Sequence, residues 1–223
     1  MKITADLSDV TIELKNKGIT LHISADGATT NSFVTYLSTS PVDPGETVPM
    51  RLADTSTDAV DVLNPFSVTR LRNTALIADI DLRKSIQNPQ SSGDPLVLNP
   101  QVRVVDSQDV GALTGTVAAS LVASGARCAP GAIYVYQGSG VTPGDEGGSG
   151  SQPFISTTLT SGGTGSGFVS YSVRYLDPGD YTIALICNPE QDDPSTADTL
   201  DVFGQQNVTV SKALTTTAQS FGP

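Results

Sequence analysis

Val169-Ser170-Tyr171-Ser172-Val173-Arg174-Tyr175 leads through Leu176-Asp177-Pro178-Gly179 into Asp180-Tyr181-Thr182-Ile183-Ala184. Large apolar residues alternate with small polar ones on both sides of a Pro-Gly step. Pro presets φ for a tight turn and Gly accepts the backbone that follows, so the stretch reads strand, turn, strand. The same period of two runs through most of the chain. Ile19, Leu21 and Ile23 share one face with Thr20, His22 and Ser24 opposite, and Leu76, Ala78, Ile80 and Leu82 oppose Asp79 and Asp81. Val102 and Val104, Leu113 and Val117, Ile133–Tyr136, Tyr181–Cys187 and Val208–Val210 continue the pattern.

Short strands bounded by turn residues predict an all-β chain of two tandem antiparallel β-sandwich-like domains rather than βαβ units. The polar turn Asp106-Ser107-Gln108-Asp109 sets the expected boundary, giving domains over 1–108 and 109–223. One helical turn is expected at Asp81–Ile86, stopped before Pro89, with a surface loop over 87–95. Two stretches rich in Gly, Ser and Thr, 138–152 and 161–167, are expected to be flexible loops.

Twelve basic residues against 23 acidic ones leave a net charge of −11. Without a cluster of Lys or Arg there is no footprint for phosphate, so nucleic acid is not an expected partner. No apolar run reaches the length of a membrane span.

Three motifs in order carry a family resemblance. The first runs Ile80-Asp81-Leu82-Arg83-Lys84-Ser85-Ile86, then Leu96-Val97-Leu98-Asn99-Pro100-Gln101-Val102-Arg103-Val104-Val105-Asp106, then Gly111-Ala112-Leu113-Thr114-Gly115-Thr116-Val117. The second is Ala132-Ile133-Tyr134-Val135-Tyr136, and the third is the strand–turn–strand stretch followed by Gln206-Asn207-Val208-Thr209-Val210. Together they resemble a bacterial family of secreted lipoproteins catalogued only as a domain of unknown function. The C-terminal half is similar to the transthyretin-like sandwich that accompanies carboxypeptidases. The resemblance spans roughly residues 65–221 and implies export and a β-sandwich, with no activity attached. Family members open with a signal peptide and a lipid-bearing Cys, so this chain is expected to be the mature part of an extracytoplasmic protein, lipid-anchored or secreted. Where the family carries a Gly before the last strand, this chain has Lys212-Ala213.

Cys128 and Cys187, the two cysteines, sit at loop junctions of the second domain. The exported context that the resemblance implies favours a disulfide between them. Two cysteines and one distant histidine are too few to ligate Zn²⁺.

Other candidate sites are weighed on chemistry. His22, the single histidine, falls on a polar strand face and is expected to face solvent. Ser149 lacks the last Gly of a nucleophile elbow, so a Ser-His-Asp triad is not expected. Asp79 and Asp81 have the spacing of an acid–base pair but no neighbouring group to tune them, and Arg70, Arg72 or Arg83 would serve as ion-pair partners. Gly162–Gly167 has no following Lys or helix and reads as a hairpin loop. Asn207-Val208-Thr209 fits a glycosylation sequon inside a strand, where it carries no weight.

The acidic stretch 190–201 has two readings. A solvated loop is one, and a Ca²⁺ site formed by Asp192, Asp193, Asp198 and Asp201 is the other. Tyr134, Tyr136, Tyr171 and Tyr175 either line a face for glycan or peptide or form a half-buried sheet face. The leading expectation is a non-enzymatic structural or interaction module of the bacterial cell envelope, its partner a surface protein or glycan. A glycan- or peptide-binding sandwich is the alternative, and a carboxylate-dependent hydrolase ranks last.

Overall fold

A computed structural model describes residues 11–14, 19–22, 33–36, 47–53, 75–88, 91, 94–160 and 167–222, for 11–48 and 52 the backbone alone. In chain order the strands are β1 (Thr11–Leu14), β2 (Ile19–His22), β3 (Phe33–Tyr36), β4 (Thr47–Leu52), β5 (Leu76–Ile80), β6 (Ile86–Gln87), β7 (Leu96–Leu98) and β8 (Val102–Asp106). They continue as β9 (Gly111–Ala118), β10 (Ala132–Gln137), β11 (Ile155–Thr158), β12 (Phe168–Leu176), β13 (Gly179–Ile186), β14 (Val202–Val210) and β15 (Thr215–Thr217). The chain is all-β with open sheets, and among the described residues the α-helices are single turns, α1 (Leu82–Ser85) and α2 (Ala119–Val122). The helical turn expected at Asp81–Ile86 is α1. Among the described residues no helix is long and apolar enough to cross a membrane.

Two compact units form, one from Met1–Leu63 with Leu82–Val102, the other from Asn64–Asp81 with Arg103–Pro223. The sequence puts its division after residue 108, whereas β5 and most of β8 group with the second unit. The first unit carries a six-stranded sheet ordered β1-β2-β3-β4-β7-β6. Among the described residues, β4 with β7 and β15 with β9 depart from the antiparallel expectation and pair parallel.

In the second unit a four-stranded sheet, β11-β10-β13-β14, lies against a three-stranded one, β12-β9-β15. Their facing residues form one core: Leu113 and Val117 from β9, Tyr171 and Val173 from β12, Ile133 and Val135 from β10, Ile183 and Leu185 from β13. Tyr171 lies across the backbone of its register partner Gly115, where a Cβ would collide with the ring. That close approach explains a glycine in mid-strand.

β10 and β13 are buried on both faces, because alternate residues Ala132, Tyr134, Tyr136, Ala184 and Ile186 form a second cluster with Val141, Leu200 and Val202. A strand covered on both sides needs a layer over its outer face, and that layer is made by loops.

Candidate functional site

The outer faces of β10 and β13 are covered by the loops over 138–153 and 188–201. Cys128 and Cys187 form a disulfide that ties the segment after α2 to the end of β13, both sulfurs buried in the main core. Closing a loop of this length stabilises by about 4 kcal/mol through loss of unfolded-chain entropy.

The Gly-rich segment 138–152 is folded down rather than flexible. The fully buried Thr182 hydroxyl accepts from Val141 N at 3.0 Å and lies 2.9 Å from Gly138 O and 3.0 Å from Asn207 Oδ1. The Asn207 amide also accepts from Gly140 N, so the sequon asparagine is a structural link. Tyr136 donates its hydroxyl to Gly144 O at 2.8 Å. At Gly147 a Cβ would collide with the Thr196 carbonyl, so this glycine permits two loops to touch.

Where these loops meet, oxygens of Asp145, Asp192 and Asp198 lie within 4.8 Å of one another. Each carboxylate is held by donors of the chain. Asp192 accepts from the Tyr134 hydroxyl at 2.6 Å and from Glu146 N at 3.0 Å. Asp145 accepts from Asp198 N at 2.7 Å, and Asp198 accepts from Asp193 N and the Thr196 hydroxyl, each at 2.9 Å. The Tyr136 phenol is pushed above its usual range, first by burial and then by the negative charge of Asp192, Glu146 and Asp145. An oxygen-only donor set of this kind suits a hard cation such as Ca²⁺.

The four aspartates expected to share a cation do not come together as a set. Asp192 and Asp198 meet, whereas Asp193 caps its own turn by accepting from Ser195 N and Oγ. Asp201 ion-pairs with Arg127, and that hydrogen bond pulls its carboxyl below the usual range. Asp145 is the member the sequence did not offer. It sits in a Gly-rich loop 53 residues from Asp198, and its one signal was the Asp145-Glu146 pair between glycines.

The remaining candidates disperse. Tyr134, Tyr136 and Tyr171 are at most 2% exposed, so the tyrosines do not share a groove. Tyr175 is half-buried with φ 62° at the bulge in β12. Asp79 pairs at 2.8 Å with Arg103, which also donates to Tyr175 O at 2.6 Å and stacks on Phe154. Arg103 thus takes the role expected of Arg70, Arg72 or Arg83, the first two of which lie outside the described residues. Asp81 follows β5 and precedes α1, half-buried. The side chain of His22 and residues 161–166 also lie outside the described residues. In comparisons with known proteins the chain matches no family model, no curated protein and no solved structure.

Proposed function

We propose that the chain is a non-enzymatic, extracytoplasmic structural or interaction module of a bacterial cell envelope, lipid-anchored or secreted. The observation that carries this reading is the burial of Tyr134, Tyr136 and Tyr171. The aromatic side chains that would build a glycan- or peptide-stacking platform are spent on core and loop anchoring. Central strands covered on both faces, with the loop over 188–201 fastened at its start by the disulfide at Cys187, suit a rigid spacer whose contacts are made by rims and edges. The disulfide supports an oxidising compartment. The ordered motifs shared with secreted lipoproteins and the transthyretin-like sandwich support the same setting. The engagement of Asp79 by Arg103 supports the non-enzymatic reading over the hydrolase one.

The test is localisation of the protein in the cells that make it. Recovery in the envelope fraction or the medium is expected. Recovery in the cytoplasm would overturn the proposal.

A further inference from the structure

β11 and β12 belong to facing sheets of the second unit, yet they are laced together at one end. Thr160 and Ser170 exchange two backbone hydrogen bonds, at 2.7 and 3.0 Å, and the Thr157 hydroxyl reaches Ser172 O at 3.3 Å. Beyond that point β11 follows β10 and β12 follows β9, so the two strands part. A cleft of about 260 Å³ opens there, lined in part by Ser156, Thr157, Ser172, Arg174 and Tyr175, with Asp79 of β5.

β12 is reshaped where it borders this cleft. Its alternation buries Tyr171 and Val173 and leaves Ser172 and Arg174 exposed, so the next core position falls to residue 175. The register with β9 shifts between Val173 and Leu176 instead, and Leu176 takes the buried position. Tyr175 is left half-buried at the cleft with φ 62°, a backbone that a bulky L residue rarely adopts. Such strain persists where surrounding contacts enforce it, and it clusters at binding sites. Here Arg103 enforces it, donating to Tyr175 O at 2.6 Å and to Asp79 at 2.8 Å. That ion pair also neutralises the Asp79 carboxylate. Arg127 and Lys212 are likewise paired with aspartates, whereas Arg174 has no ion-pair partner among the described residues.

We propose that the cleft binds a hexuronate, an acidic sugar of one ring, with its carboxylate on Arg174 and its hydroxyls on Ser156, Thr157 and Ser172. A guanidinium takes a carboxylate through two parallel hydrogen bonds. One guanidinium, in a chain of net charge −11, favours a singly charged anion over phosphate or sulfate. The three hydroxyls supply both donors and acceptors to a polyhydroxylated ring, and Tyr175 gives it an aromatic flank. The volume lies just below the roughly 300–1,000 Å³ of sites for drug-sized ligands, which fits a single sugar ring. This ligand goes beyond the proposed envelope role and does not depend on it.

Titration of the whole chain with glucuronate and with galacturonate, followed by amide nuclear magnetic resonance shifts, tests the site, with melting curves to confirm that each variant is folded. At least one hexuronate is expected to give saturable shifts centred on residues 155–157 and 172–175. Glucose and acetate each carry half of the chemistry and are expected to bind at least about tenfold more weakly. Arg174→Gln is expected to weaken hexuronate binding by about tenfold or more. Lys212→Gln, which removes the same charge from the turn between β14 and β15, is expected to leave it unchanged. No saturable shift with either hexuronate, or shifts centred elsewhere, would overturn the proposal. So would glucose or acetate binding as tightly, or the two variants acting alike.

Discussion

Ala213 holds φ at 57°, in the left-handed region where an L side chain crowds the following carbonyl. A non-Gly residue at that angle holds mild backbone strain. Relief of that strain outweighs the extra unfolded-state entropy of glycine. Ala213→Gly is therefore expected to stabilise the protein by about 0.5–1 kcal/mol, read as a higher urea midpoint at unchanged slope. A lower midpoint would contradict this account of the turn. The neighbouring carbonyls explain why the position matters: Ala213 N donates to Val110 O, and Ala112 N donates to Leu214 O, so the turn is stitched to the start of β9.

At the scale of elements, the period of two made β9, β10, β12 and β13 legible, because each alternates residues between the core and the other face. β14 was legible only over Val208–Val210, since Gly204-Gln205-Gln206-Asn207 lacks apolar alternation and is a strand through its pairing with β13. Composition misread 138–152 for a similar reason. Its order comes from hydrogen bonds to Thr182, Asp192 and Asn207, 41 to 67 residues away, which local composition does not encode. Asp145 was hidden by the same distance.

The strands also carry a pH dependence. Burial raises the phenols of Tyr136 and Tyr171 well above the ordinary range and pushes Tyr181 up to about 12. The folded protein then holds protons that the unfolded chain has released, so this stabilisation is complete below about pH 10 and is lost as pH rises beyond it. Stability should fall in that alkaline range, and tyrosinate absorbance from these residues should appear together with loss of near-ultraviolet circular dichroism. Complete tyrosine ionisation in a protein still folded by circular dichroism would contradict their burial.

For the molecule as a whole, backbone amides and hydroxyls of the chain itself already hold the three clustered carboxylates. The account therefore expects millimolar Ca²⁺ at fixed ionic strength to leave the melting midpoint unchanged. A bound cation present at a hundred times its dissociation constant would add about 2.7 kcal/mol and move the midpoint by several degrees. Fixed ionic strength removes the screening that any salt gives a chain of this charge. A rise specific to Ca²⁺ would show that the loops close around an ion.

The central claim is a module completed outside the cytoplasm, with Cys128 and Cys187 paired in its core. The most direct measurement is to alkylate thiols in intact cells as they are broken in denaturant, without reductant, and weigh the recovered chain. The account predicts no added label at Cys128 or Cys187. Label on both cysteines in the bulk of the protein would contradict it.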